Sequence, residues 1–128
     1  MDYKKIDCEK MYEDIMNIDA RIRLVTICDS NGRVVYSEHR EGVKNLLTAE
    51  ESKESLELAV NSWKTRTKLA PKIGKGKYVL AEYEKIKPIT MPLGDDYHHL
   101  LYITTQVQAD HSNIIHRISE ITIRKLLL

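Results

Sequence analysis

The sequence predicts an α+β domain of three layers: a five-stranded antiparallel sheet with one long helix on one face and two terminal helices on the other. Three observations carry that expectation. Apolar periodicity changes in kind along the chain, giving the order helix, strand, strand, helix, strand, strand, strand, helix. Links between consecutive strands are short, which makes neighbours antiparallel. Finally, LVTI (24–27), YVLA (78–81) and LLYI (100–103) are almost continuous apolar runs. A sheet bare on one side would alternate, so these runs predict cover on both faces. At 128 residues the chain fits a single domain, 1–128, long enough to bury a proper core.

Residues 3–19 read as a helix, because Cys8, Met11, Tyr12, Ile15 and Ile18 recur at spacings of three and four. Two strands follow, RIRLVTIC (21–28) and RVVYSEH (33–39). The Asp29-Ser30-Asn31-Gly32 turn joins them, since Asn and Gly tolerate the positive φ of a tight reversal. After a polar connection the long helix begins, with Thr48 and Glu51 spaced as a capping box. Ser52, Leu56, Ala59, Val60, Trp63 and Thr67 form its stripe. Pro71 should stop it near Ala70, because proline disfavours helical geometry in its predecessor. Three strand candidates come next, KYVLAEYE (77–84), IKPITMPL (86–93) and HHLLYITTQ (98–106). Pro88 and Pro92 each remove a backbone donor, so the middle one should be short, bulged or partly unpaired. Residues 110–128 read as a closing helix, capped by Asp110 or Ser112 and striped by Ile114, Ile115, Ile118 and Ile121. Leu126, Leu127 and Leu128 widen that stripe, to cover the core edge or to dock on a partner.

A formal charge of +1 with 30% charged residues argues against a global nucleic-acid binder. No apolar run approaches a membrane span and the first residues carry no signal-peptide core, so a cytoplasmic location is expected. Cys8 and Cys28 have neither CxxC nor metal-ligand spacing and read as buried, reduced thiols. Asp95, Asp96, His98, His99, His111 and His116 could in principle bind zinc. Adjacent strand histidines point to opposite faces, however, and His111 and His116 stand five apart, so no metal is expected. Ser30 belongs to a turn and lacks a GxSxG setting. Asp95 and Asp96 would sit in solvent with ordinary chemistry. Neither catalytic residues nor a cofactor is expected.

The most uneven charge lies between Glu57 and Glu82, where Lys64, Arg66, Lys68, Lys72, Lys75 and Lys77 meet no acidic residue. The segment is not a P-loop, because GxxxxGK[ST] is missing. It is either a solvated face or a patch for an acidic protein partner. Nucleic acid is less favoured, since no cluster of aromatics interleaves the lysines for base stacking.

The element order, with RLVTICDSNGRVVYSE, GKYVLAEYEKIKPITMPLGDD and YHHLLYITTQ, resembles the roadblock / dynein light chain family, above all its small archaeal members. The resemblance implies a non-enzymatic, homodimeric adaptor, often one that contacts a small Ras-like GTPase. Pairing in that family runs through the third strand and the central helix. Carried onto this chain, the elements are 78–84 and 49–68, and the interface residues Leu56, Ala59, Val60, Trp63, Tyr78, Leu80 and Tyr83. The proline-bearing fourth strand and the basic loop depart from the family pattern. Charge gives a separate reason to expect a dimer. Glu50, Glu51, Glu54 and Glu57 open the helix and Lys64, Arg66 and Lys68 close it, so two antiparallel copies would be self-complementary. The alternative is a PAS-like small-molecule sensor, which shares five antiparallel strands. One unbroken helix with Trp63 on its sheet side favours a packed interior over a PAS pocket. RNA or phosphate binding through 64–77 is the third reading.

Overall fold

The computed structural model describes residues 7–127, with side chains to residue 122. Its elements are α1 (Cys8–Met16), β1 (Ile22–Cys28), β2 (Val34–His39), α2 (Ala49–Ile73), β3 (Val79–Leu80), β4 (Ile86–Pro92), β5 (Leu100–Gln106) and α3 (His111–Leu127). The five strands form one antiparallel sheet in the order β2-β1-β5-β4-β3. The two most apolar strands, β1 and β5, lie at its middle, paired from Ile22↔Thr105 to Cys28↔Leu100.

Strand parity builds two cores. Val25, Ile27, Ile89, Leu101 and Ile103 point one way and meet Met11 and Ile15 of α1 and Ile114 and Ile118 of α3. Cys28, Leu100 and Tyr102 point the other way and meet Leu56, Val60 and Trp63 of α2. This is the expected three-layer architecture, with the long helix alone on its face. The α1/α3 side is the larger core.

Several boundaries differ from expectation, each for a local reason. Helix α1 begins at Cys8 because the Asp7 side chain accepts from the Lys10 N–H at 3.0 Å; residues 3–6 lie outside the described residues. At the start of α2 both halves of the capping box form, Glu51 N–H to Thr48 Oγ1 at 3.1 Å and Thr48 N–H to Glu51 Oε1 at 2.9 Å. The helix does not stop before Pro71 but runs to Ile73, closed by the Gly74 N–H on the Ala70 carbonyl at 2.8 Å. Pro71 lies in the last turn, where its missing donor removes one bond and its fixed φ suits a helix. At α3, the cap is Asp110, which accepts from the Asn113 N–H at 3.1 Å. The side chains of Leu126 and Leu127, and all of Leu128, lie outside the described residues.

The proline-bearing strand meets one of its three expected outcomes: it is partly unpaired, on its β3 side alone. Strand β4 is neither short nor bulged and pairs with β5 along its whole length, from Ile86↔Gln106 to Pro92↔Leu100. The short strand is β3, two residues where eight had the composition of a strand. The Ala81 and Tyr83 N–H groups donate to the Pro88 and Ile86 carbonyls, so even-numbered residues of β4 turn their backbone groups toward β3. Pro88 and Pro92 therefore lack donors only on that side. Odd residues carry the intact ladder to β5.

Candidate functional site

Helix α2 dominates the surface. Of its 25 residues only Leu56, Val60 and Trp63 are buried, all against the sheet. Trp63 donates its Nε1–H to Thr90 Oγ1 at 2.8 Å inside the core. The Arg66 guanidinium lies 5.3 Å from the Trp63 ring centre. The loop after the helix closes on the same indole, since a Cβ built on Gly76 would fall 2.7 Å from Trp63 Cζ3.

The residues assigned to a dimer interface separate into two sets. Leu56, Val60 and Trp63 belong to this protomer's own core and offer no free surface, and Ala59 packs half-buried beside them. Tyr78, Leu80 and Tyr83 are exposed along the β3 edge, Tyr83 at 57%. The free apolar residues of α2 are others: Leu58 at 66% exposure, Leu69, and Ile73 at 79%. None of these three lies on the sheet-facing stripe. Their signal was present as a second stripe of helical period, 58, 62, 65, 69, 73, on the side opposite Leu56 and Val60.

The basic segment is divided by the helix turn. Lys64 and Lys68 line a cleft of about 470 Å³, shared with Trp63, Asp29, Asp95 and His98. Arg66 stacks on the indole instead, while Lys72, Lys75 and Lys77 stand in solvent. Two acids thus face the cleft's lysines. Backbone N–H donation from Arg33 at 2.9 Å, joined by Asn31 at 2.8 Å, holds the Asp29 carboxyl below its ordinary value.

The histidines and cysteines fall where structure needs them. Asp95 accepts from the His99 N–H at 2.9 Å and pairs with His99 Nδ1, closing the β4–β5 connection, while His98 takes φ +56° and is exposed. His111 Nε2 meets Thr105 Oγ1 at 2.7 Å, and burial lowers its pKa. His116 pairs with Glu120 on the surface at 3.5 Å. No three His, Cys, Asp or Glu side chains among the described residues converge as a metal site. Cys28 is fully buried, and burial first, with the Asp29 charge adding, pushes its thiol pKa up to about 11. Such a thiol is a poor nucleophile near neutral pH. Cys8 is only half-buried.

One expectation about the interior is overturned. Apolar side chains of α2 seal the sheet only from Leu56 on. Beneath its first two turns lies a cleft of about 300 Å³, floored by Leu24, Thr26, Tyr102 and Thr104 and walled by residues 44–47.

No family model matches the sequence, and no curated protein matches it either. Solved structures do match. A structure of MglB with a tetrameric arrangement superposes with a TM-score of 0.74 at 13% identity, covering 99% of this chain and 93% of that one. The gliding protein MglB from Thermus thermophilus gives 0.74 at 14% identity, with the same 99% and 93% coverage. A roadblock/LC7 domain from Streptomyces avermitilis gives 0.67 at 10% identity, covering 88% of each chain. The chain has a roadblock/LC7-like fold. At these identities the likeness is one of fold. Within that fold, α2 and β3 are the elements that the sequence resemblance assigns to pairing. No helix among the described residues is long and apolar enough to cross a membrane.

Proposed function

We propose that this chain is a non-catalytic, cytoplasmic adaptor that works as a homodimer, pairing through the open edge of β3 and the outward face of α2. One observation carries the reading. A 25-residue helix buries three residues on its own sheet and turns Leu58, Leu69 and Ile73 outward. Beside its core, β3 ends the sheet with Tyr78, Leu80 and Tyr83 exposed. The pairing set is therefore Tyr78, Leu80, Tyr83, Leu58, Leu69 and Ile73, with Leu56, Ala59, Val60 and Trp63 supporting α2 from beneath. Acids at the start of α2 and bases at its end complement one another across a two-fold axis. The roadblock-like fold, and the tetrameric arrangement of one MglB structure, are in keeping with assembly. The dimer would leave Lys64, Lys68, Lys72, Lys75 and Lys77 for an acidic protein partner, a small GTPase among the candidates.

Sedimentation equilibrium tests the pairing. The wild-type chain is expected at twice its monomer mass, and the Leu58→Glu/Ile73→Glu variant at the monomer mass with unchanged circular dichroism. A wild-type monomer at tens of micromolar, or a variant that still dimerises, overturns it.

A further inference from the structure

The cleft under the first two turns of α2 has a composition that the adaptor reading does not use. Its charged lining is all of one sign: Arg23, Lys44 and Lys53, with His39 beside them and no acidic residue among the described ones. None of those three cations has a carboxylate partner among the described residues. The Arg23 guanidinium instead donates to the Lys44 carbonyl at 3.0 Å, which ties the wall to β1. The first turn of α2 borders the same cleft at Ala49 and Ser52, its Thr48 and Glu51 amides already taken by the capping box.

Its interior is part apolar and part hydroxyl. Leu24 and Leu56 lie inside, and Leu46 and Leu47 at the wall stay exposed to water. Two pairs of hydroxyls satisfy each other, Thr26 with Ser37 at 2.8 Å and Ser55 with Tyr102 at 3.0 Å. Thr104 does not join them. It is 7% exposed and lines the cleft, yet its hydroxyl has no hydrogen bond among the described residues. Its neighbour Thr105, on the opposite face, has two, to the Lys87 carbonyl at 3.0 Å and to His111 Nε2 at 2.7 Å. The Thr104 hydroxyl opens on the cleft rather than being sealed in the core, so a guest could bond it in place of water. A volume of about 300 Å³ stands at the small end of organic-ligand pockets.

We propose that this cleft binds a small amphipathic carboxylate. The anionic head lies among Lys44, Lys53 and Arg23, the apolar body lies over Leu24 and Leu56, and Thr104 bonds a polar atom of the guest. The site would make the adaptor responsive to a metabolite of that chemistry, because the guest fills the gap between sheet and α2. Neither Lys44 nor Lys53 belongs to the proposed pairing surface, so binding and dimer mass are separate readouts, and either reading can fail alone.

The test is a titration of the isotopically labelled full chain with octanoate, followed by amide chemical shifts, with octan-1-ol and octylamine as controls. Octanoate is expected to bind more tightly than either control and to move the amides of residues 44–56 and of Thr104. Lys44→Glu/Lys53→Glu should weaken octanoate by about tenfold while leaving octan-1-ol unchanged. Thr104→Val, nearly isosteric, should weaken octanoate several-fold in a chain that keeps its fold. Equal affinity for the three probes, or shifts clustered elsewhere, overturns the proposal. So does the absence of any shift at millimolar octanoate, which would leave the cleft to water or to a partner's side chain.

Discussion

Trp63 holds three parts of the molecule in register, and each contact has a different physical origin. Its indole N–H reaches Thr90 in the core, the guanidinium of Arg66 lies over its ring, and the backbone at Gly76 closes on its far edge. The glycine is required there by distance. At 2.7 Å from Cζ3, a methyl group would force the indole or the loop to move, and the indole is fixed by a buried hydrogen bond. Gly76→Ala should therefore cost about 1–3 kcal/mol, as overpacking of a filled site generally does. Urea unfolding measures the loss. Emission gives an independent reading, because Trp63 is the sole tryptophan and a displaced ring would shift to the red. Unchanged stability with unchanged emission would mean that the basic loop does not sit on the ring. Sequence alone marks Trp63 but not its meeting with Gly76, since the two lie thirteen positions apart on either side of a helix end.

Element boundaries depend on direction as well as on residue type, which is why the strands were read less well than the helices. Caps are local: Thr48 and Glu51 announce the start of α2 from sequence because both partners lie within one turn. Pro88 and Pro92 announce two missing donors, but which neighbour loses them follows from register, and register is a property of the whole sheet. Their even spacing places both absences on the β3 side. The pair Ala81↔Pro88 keeps one hydrogen bond of the two that a residue with an N–H would allow, so β3 is cut to Val79–Leu80. Pro88→Val should then supply an N–H to the Ala81 carbonyl and extend the β3–β4 ladder. Hydrogen exchange at residue 88 checks this. Protection of its amide by tenfold or more is the outcome expected from a net bond of about 1 kcal/mol or somewhat above. Exchange at the rate of an unstructured chain would sink the account of the short edge. The cleft beneath α2 was illegible for a related reason. One helix periodicity describes both ends of α2, whereas its apolar contact with the sheet is made only from Leu56 onward.

On the scale of the whole molecule, the two sides of the sheet are held unequally, and this bears on assembly. Among the described residues fifteen buried ones join α1, α3 and the sheet, while six join α2 to it. Burial of apolar area is the main source of docking free energy, so α2 is the layer most easily released. In an isolated chain the amides of β1 and β5 should exchange slowest, through global unfolding, and those of α2 faster, through undocking of the helix. The proposed pairing would change that ranking by mass action. A second copy that binds only the docked helix stabilises docking in proportion to the logarithm of its concentration. Raising protein concentration across the dimer's dissociation constant should therefore slow exchange in α2 and β3, with far smaller effect on the amides facing α1. The same experiment on the Leu58→Glu/Ile73→Glu variant should return concentration-independent rates. If α2 in the wild-type chain is as protected as β5 at every concentration, the helix needs no partner, and the outward leucines and isoleucine require another explanation. If instead its exchange follows concentration, the thin second core is the energetic reason this sheet face takes a second copy.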